Sequence, residues 1–354
     1  MVIYKMKALI IITGRGIGGD AVTAVNIGRA LSNKGVKCEY ALDASAPGLY
    51  LKKQGLDWHK IRVPQAGGHA ATKVKLAKAG IKAATASVKA VSLIKEINPD
   101  VVVGVIGGGA VIACVAAKIA KVPAVGVLIT PTDARVCVKL NANIVLPESN
   151  LYQQNLDAIP NLYKSYSPIN PDVIGGDKEE ALKKMPDGYD SEKPTILVSS
   201  GSSLFEITAQ CIEKIANEFD ANILVTGDPL EESYLEYFNH PNIHYLGYIN
   251  WMHDAYDLAD VAVLSDDGVM IHEAIACKVP IVALTGVKYG RYHNMAAVFP
   301  GAVIESSPEE INNKIKEAMD NIDSLKEEAN KYGEDVLSAS SKMADIIINE
   351  AKHY

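Results

Sequence analysis

The fold is decided by residues 8–20 near the start of the chain, whose sequence is ALIIITGRGIGGD. The first five of these residues are apolar and have the length of a buried parallel strand. A glycine-rich turn follows, and then a helical stretch from 21 to 33. A buried strand, a turn without bulky side chains and a helix N-terminus together present backbone N–H groups to an anion. This stretch therefore predicts an α/β unit that binds a ligand of nucleotide size.

A second stretch of the same kind lies near the middle of the chain. The apolar residues 195–198 are followed by Ser199-Ser200-Gly201-Ser202-Ser203 and by a helical stretch from 205 to 219. Two such units in 354 residues predict two domains of ordinary size, with a ligand cleft between them.

Short runs rich in Val and Ile alternate with helical stretches in both halves, a pattern typical of βαβ units and a parallel sheet. The predicted strands are residues 8–12, 37–41, 101–105, 124–128, 143–146, 195–199, 222–226, 243–246, 261–264, 281–284 and 302–304. Residues 166–190 are rich in Pro, Gly, Asp and Lys and are the predicted linker. We therefore expect an α/β fold with domains at residues 1–165 and 191–333. A charged amphipathic helix is predicted up to Tyr332, and a final helix after Gly333.

Composition and charge exclude several classes of protein. The net charge of −7 argues against a general nucleic-acid binder, which holds phosphate with an excess of Lys and Arg. The five cysteines form no CxxC pair, which fits a reduced cytoplasmic interior and does not fit structural zinc. The apolar run at 8–12 is too short for a signal sequence or a membrane span. We therefore expect a cytoplasmic protein without a nucleic-acid partner.

Seven short motifs occur in a fixed order along the chain. They are Gly16–Asp20, Pro99–Gly104, Gly107–Gly109, Gly247–Met252, Ala259–Val261, His272–Ala276 and Val279–Pro280. In this order they resemble glycosyltransferase family 28, in particular its MurG-like branch, which transfers N-acetylglucosamine to a murein precursor. The resemblance implies a GT-B fold, in which two Rossmann-like domains face a central cleft, the first binding the acceptor and the second binding the UDP-sugar. It also implies inversion at the anomeric carbon without a required metal, and a final helix, 334–354, that packs back on the first domain.

The resemblance also assigns residues that bind the nucleoside of the donor. Glu273 falls where the family has a carboxylate that accepts hydrogen bonds from the ribose hydroxyls. Tyr248 and Ile249 match the pair that covers and reads the uracil. The residues alone leave two alternatives open. Glu273 is also favoured at a helix start by the helix dipole, and Tyr248 is equally acceptable as a core aromatic residue.

Other matches concern the diphosphate and the sugar of the donor. Gly201, Ser202 and Ser203 match the turn that faces the donor diphosphate, although a tight strand-to-helix turn uses Gly and Ser without any ligand. Arg291 and Asn294 lie where the family has a Gln and an Asn that hold the sugar hydroxyls. Asn294 therefore fits the family, whereas Arg291 departs from it.

Residues 266–270 are expected to form another phosphate site of the strand, turn and helix type. Its candidate ligand-binding residues are Asp267, Gly268, Val269 and Met270. The adjacent acids Asp266 and Asp267 also suggest a metal site, but two neighbouring acids in a turn are a weak signal. No metal site is predicted.

The first glycine turn, with Gly16, Gly18 and Gly19, is the expected place of the catalytic base. Inverting transfer needs a group that takes the proton from the acceptor hydroxyl. The family has a His directly after the glycines, whereas this chain has Asp20, and a carboxylate can do the same work. The alternative is that Asp20 is the N-cap of a helix that starts at the next residue, which would lower its pKa. His69, after a second glycine pair, is the other candidate base.

The acceptor side departs further from the family. The family's polar segment, which helps line the acceptor side, aligns with Val127–Thr130, of which the first three residues are apolar. Polar residues return only in Thr130–Arg135. The sequence therefore predicts the acceptor less well than it predicts the fold or the nucleotide of the donor.

A basic stripe is predicted on the helical stretch 72–97. Lys75, Lys78, Lys82 and Lys89 recur at spacings that place them on one face of a helix. The family carries a basic and apolar patch here that is thought to contact the membrane. Attachment to anionic lipid is therefore one interpretation, and a solvated face of an ordinary amphipathic helix is the other.

Together these patterns predict an inverting glycosyltransferase. It would move a sugar, expected to be an N-acetylhexosamine, from UDP to a lipid-linked cell-wall precursor of murein or pseudomurein type. It would act at the cytoplasmic face of the membrane and would need no cofactor besides the donor. Two alternatives remain: a UDP-N-acetylglucosamine 2-epimerase, and a non-catalytic subunit that binds UDP-sugar.

Overall fold

The computed structural model describes residues 6–14, 16, 18–63, 86–152, 155–287 and 293–353. The chain divides into two compact units. Unit 1 comprises Met1–Pro168 and Ala339–Tyr354, and unit 2 comprises Ile169–Ser338. The division after Pro168 falls inside the stretch predicted as a linker.

Each unit is built on one parallel sheet. Unit 1 has a 7-stranded sheet in the order β3-β2-β1-β4-β5-β6-β7, and unit 2 has a 6-stranded sheet in the order β10-β9-β8-β11-β12-β13. The strands are β1 Met6–Ile12, β2 Val36–Asp43, β3 Trp58–Ile61, β4 Val101–Val105, β5 Ala124–Val127, β6 Ala142–Val145, β7 Leu162–Lys164, β8 Thr195–Leu204, β9 Asn222–Pro229, β10 Ile243–Gly247, β11 Val261–Ser265, β12 Ile281–Leu284 and β13 Val303–Ser306. The predicted α/β fold with two Rossmann-like domains is confirmed.

Helices connect these strands. They are α1 Gly19–Asn33, α2 Leu49–Lys53, α3 86–97, α4 Gly107–Ala120, α5 Pro131–Cys137, α6 Lys178–Leu182, α7 Glu206–Glu218, α8 Met252–Leu258, α9 Val269–Ala276, α10 Met295–Val298, α11 Ile311–Asp320, α12 Ile322–Leu337 and α13 Ala339–His353. In the described ranges, no helix is long and apolar enough to cross a bilayer.

Strand β1 shows why a continuous apolar run is needed. Ala8, Ile10 and Ile12 pack in one cluster with residues of α1 and α13, while Leu9 and Ile11 pack in another with residues of α3 and α4. Because helices cover both faces, alternation of apolar and polar residues would bury polar groups. Helix α13 is held further by an ion pair between Lys34 and Asp345, whose charged atoms are 2.8 Å apart.

The structure corrects several predicted boundaries. Strands β3 and β7 were not predicted, since their sequences WHKI and LYK are short and partly charged and lie at the sheet edges. Strand β8 continues to Leu204 instead of ending at Ser199, through a register shift between Ser199 and Ser203. Gly333, the predicted break before the final helix, lies inside α12, and the break falls at Ser338.

The strand order places one topological switch point in each sheet. The chain runs outward from β1 to β3 on one side and from β4 to β7 on the other, so β1 and β4 flank the switch point of unit 1. By the same argument β8 and β11 flank that of unit 2. Ligands of open α/β sheets bind at the carboxyl ends of the strands at such points. The turns after β1, β4 and β11 and the turn within β8 are therefore the candidate site segments.

Candidate functional site

The turn after β1 brings Asp20 against the glycine segment. Gly14 and Gly16 have φ of 73° and 70°, which side chains rarely adopt. A Cβ on Gly14 would lie 2.9 Å from Oδ2 of Asp20, and a Cβ on Gly16 would lie 2.9 Å from the Cα of Gly48. Conformation therefore favours glycine at both positions, and the nearby backbone also requires it at Gly16, while the Asp20 carboxylate lies beside Gly14 at the carboxyl end of β1.

Asp20 is not the N-cap of α1. The helix begins at Gly19, its N-cap is Gly18, and no side chain caps it. Asp20 stands in the first turn, where a negative charge interacts favourably with the helix dipole. The cap alternative is thus wrong in its position, while the assignment of Asp20 as a base stays a prediction.

The turn after β4 is occupied by a carboxylate of the chain itself. The backbone N–H of Gly107, at the start of α4, donates to Oδ2 of Asp133 at 2.6 Å. The N–H of Thr130 donates to Oδ1 at 3.1 Å, as part of a capping box at the start of α5. Asp133 is 0% exposed, and burial raises its pKa to about 7. The spacing from Thr130 to Asp133 signals the capping box, but nothing in the sequence signals the contact with Gly107.

The turn within β8 is braced by its own serines. Ser199 Oγ donates to the carbonyl of Thr226 at 3.2 Å and accepts from the N–H of Gly201 at 3.1 Å. Ser200 Oγ accepts from the N–H of Phe205 at 3.1 Å. Gly201 has φ of 105°, so that position is suited to glycine. The candidate donor-binding residues Ser202 and Ser203 are partly buried, and their hydroxyls make no hydrogen bond to a described residue.

The turn after β11 holds two acidic side chains. Asp266 is buried and accepts the N–H of Met295 through Oδ1 at 3.2 Å. Asp267 has φ of 74°, an unfavourable value for a residue with a side chain, and its Oδ1 lies 3.9 Å from Nε2 of His293. Gly268 is the N-cap of α9. Among the described residues, no group of three His, Cys, Asp or Glu side chains is arranged to hold a metal ion.

Glu273 lies in the second turn of α9 and is partly buried. The hydroxyl of Tyr256, on α8, donates to its Oε2 at 3.0 Å. Burial raises the pKa of Glu273 to about 7, and the Tyr256 hydrogen bond opposes that rise. The helix dipole acts mainly on the first turn, so it does not explain a Glu at this position.

Tyr248 follows β10 and is 40% exposed, so the core alternative for its ring is wrong. Its backbone N–H donates to Oδ1 of Asp228 at 3.2 Å, which holds the segment against the end of β9. Ile249 is partly buried beside it. An exposed ring on a braced backbone is suited to covering a base.

Some of the remaining predicted site residues lie in the part of the chain that the structure describes, and others do not. Asn294 is the N-cap of α10, and its Oδ1 accepts the N–H of Ala297 at 3.2 Å. Lys89 is exposed on α3. The other candidates lie outside the described residues: His69, Lys75, Lys78, Lys82 and Arg291.

The sequence also matches a known domain family. Residues 202–321 match the family described as glycosyl transferases group 1. These residues therefore form a glycosyltransferase domain, and the predicted enzyme class is confirmed at the level of this domain. The closer resemblance to family 28 stays a prediction. No protein of curated function matches the sequence.

Several solved structures share the fold over the full chain. MurG of Acinetobacter baumannii is 17% identical with a TM-score of 0.67, and the match covers 97% of this chain and 99% of that chain. A putative UDP-N-acetylglucosamine 2-epimerase of Listeria monocytogenes is 14% identical with a TM-score of 0.67, covering 99% and 97%. HepE of Anabaena, solved with UDP and glucose, is 16% identical with a TM-score of 0.62, covering 98% and 97%. These likenesses confirm the GT-B fold.

Proposed function

We propose that the chain is an inverting glycosyltransferase that uses a UDP-sugar. Unit 2 binds the donor, with Glu273 accepting hydrogen bonds from the ribose and Tyr248 covering the uracil. The carboxyl ends of β8 and β11 receive the diphosphate. The donor sugar is an N-acetylhexosamine, held in part by Asn294, and no cofactor or metal is required.

The observation that carries this proposal is the state of Glu273. A partly buried carboxylate with a raised pKa, next to a switch point, is unfavourable for stability and is typical of a binding residue. Its one hydrogen-bond partner among the described residues is Tyr256, which leaves acceptor positions for a ribose diol.

Asp20 is the proposed base. It takes the proton from the acceptor hydroxyl as the acceptor oxygen bonds to the anomeric carbon. The bond from that carbon to the UDP oxygen breaks at the same time, and UDP leaves with the electron pair. Attack from the side opposite to UDP inverts the configuration.

The proposed acceptor is a lipid-linked cell-wall precursor at the cytoplasmic membrane face. The exposed Lys89 on α3 supports a basic surface, and Lys75, Lys78 and Lys82 belong to the same predicted stripe. Sedimentation with vesicles tests this part. Binding to vesicles that contain phosphatidylglycerol, but not to neutral ones, is expected, and binding to neither would contradict membrane attachment.

Calorimetric titration tests the donor. Titration with UDP, UDP-N-acetylglucosamine, UDP-N-acetylgalactosamine and UDP-glucose should give binding of UDP and tighter binding of one sugar nucleotide. Glu273→Ala should weaken UDP binding about tenfold or more, since it removes charge-assisted hydrogen bonds. Unchanged affinity in that variant would remove the ribose assignment.

A 2-epimerase is the second candidate, because a structure described as such an enzyme shares the fold over 99% of this chain. The two activities differ in their need for an acceptor. If the protein is a transferase, UDP-N-acetylglucosamine that is incubated with it alone should stay unchanged, apart from slow hydrolysis. Formation of an epimer would favour the second candidate.

A further inference from the structure

Tyr256 makes the best-defined contact to the candidate donor site. Its side chain is 1% exposed on α8, and its hydroxyl donates to Oε2 of Glu273 at 3.0 Å. The carbonyl of Met270, in the first turn of α9, lies 3.4 Å from the same hydroxyl. The ring is thus buried in unit 2, and its hydroxyl contacts two residues of α9.

The Tyr256 hydroxyl keeps its proton and can therefore donate a hydrogen bond. Burial, together with the nearby Glu273, raises the pKa of Tyr256 well above its ordinary value, so the phenol stays protonated. A protonated phenol has one hydrogen to donate, and the carboxylate is a stronger acceptor than the carbonyl of Met270. The hydrogen bond to Glu273 is therefore strongest above pH of about 7, where the carboxyl group is ionised.

A carboxylate on a flexible side chain needs such a partner. Glu has three rotatable bonds, and ordering them on ligand binding costs conformational entropy. A rigid donor on Oε2 selects one orientation before the ligand arrives. The second oxygen, Oε1, has no hydrogen-bond partner within the described ranges and remains able to accept from a ligand.

We infer that Tyr256 is a positioning residue that orients the Glu273 carboxylate to accept hydrogen bonds from the 2′ and 3′ hydroxyls of a uridine nucleotide. This inference rests on the proposed function, because it takes Glu273 as the ribose-binding residue. It assigns ribose selectivity to a residue that does not touch the nucleotide.

A pair of nucleotides tests the inference. Tyr256→Phe keeps the ring and removes only the hydroxyl. The affinities of the full chain for UDP and for 2′,3′-dideoxyuridine diphosphate are measured by calorimetry. In the variant, UDP affinity should fall about tenfold while affinity for the dideoxy nucleotide stays as in the unsubstituted protein. The preference for the ribose diol should therefore be largely lost.

Tyr189→Phe is the matched control. The Tyr189 hydroxyl is 2.8 Å from Oγ1 of Thr195, at the start of β8, the end of the strand opposite the switch point. This variant removes a hydrogen-bonded phenol from the same unit. Both nucleotides should bind it as they bind the unsubstituted protein, even if its melting temperature falls.

The results for Tyr256→Phe and Glu273→Ala decide the matter. Equal losses for both nucleotides in Tyr256→Phe would mean that the hydroxyl only supports the fold, and no loss would mean that it does not position Glu273. Either result overturns the inference. Glu273→Ala separates this failure from that of the proposed function. If Glu273→Ala abolishes the preference for the ribose diol and Tyr256→Phe does not, only the positioning role of Tyr256 fails. If Glu273→Ala leaves that preference intact, the assignment of the ribose site is itself wrong.

Discussion

At the scale of residues, Asp20 is the proposed catalytic base. Its carboxylate lies at the end of β1 against Gly14, in the first turn of α1. That turn follows a strand at the switch point of unit 1. This position suits a group that contacts an acceptor. Kinetic measurements test whether Asp20 acts as the base.

Asp20→Asn should reduce turnover by a factor of about 10² to 10⁴, the usual contribution of a general base. UDP affinity should stay within about twofold, because UDP binds to unit 2 in the proposed function. Steady-state transfer assays and calorimetry measure the two quantities. Full turnover in the variant would show that the proton goes elsewhere.

Removal of divalent metal should leave turnover unchanged. Asp266 accepts a backbone N–H, and Asp267 lies near His293, so both acids interact with the protein itself. Transfer is measured before and after treatment with EDTA. Activity that is lost with EDTA and restored by Mg²⁺ or Mn²⁺ would assign a metal to this turn.

At the scale of elements, two helical glycines differ in whether the surrounding structure has room for a side chain. Gly333 lies inside α12, and a Cβ there would meet no atom within 4 Å. A Cβ on Gly109, in α4, would lie 2.5 Å from the backbone N of Thr13 and 2.8 Å from the carbonyl carbon of Ile12. Helix α4 can therefore approach β1 only because residue 109 has no side chain.

Gly333→Ala should raise the free energy of unfolding by roughly 0.5–1 kcal/mol, since alanine is a better helix former than glycine. Gly109→Ala should lower it by roughly 1–3 kcal/mol, because helix and strand must separate. Urea denaturation of both variants measures the two changes. A loss of stability in Gly333→Ala would indicate a helix break at that residue, as the sequence had suggested.

At the scale of the whole molecule, each unit contains a carboxyl group with a raised pKa. Burial raises the pKa of Asp133 in unit 1 and of Glu273 in unit 2, each to about 7. Both groups retain protons in the folded state that the unfolded chain has already released. Their contribution to stability is therefore present at low pH and is lost as pH rises through 7.

Stability should accordingly fall by an amount of order 1 kcal/mol between pH 6.5 and 8. Burial lowers the pKa of His272 to about 3 and also lowers that of His244. These two histidines therefore make stability rise with pH, opposite to the effect of the carboxyl groups. The unfolded-state histidines, with an ordinary pKa of 6.5, are already half titrated at the bottom of this range, so they offset only part of the fall. Melting temperatures across the range check the prediction, and Glu273→Gln should reduce the slope. A melting temperature that rises over the range would contradict these pKa shifts.

Much of this molecule is determined by neighbouring residues in the sequence. The apolar runs, the glycine turns and the helices after them follow from local periodicity and conformational preference, so most strands and the α/β fold could be predicted. Asp20 directly follows the first glycine turn, so its position could be predicted in the same way, whereas Glu273 was assigned only through the resemblance to family 28.

Only the tertiary structure determined which groups contact each other. The hydrogen bonds from Gly107 to Asp133 and from Tyr256 to Glu273 join separate elements, and the edge strands β3 and β7 form only where a neighbouring strand offers hydrogen bonds. Strand order decides such contacts, and no local pattern encodes it. The raised pKa values follow for the same reason, since burial of a carboxyl group depends on every element that surrounds it.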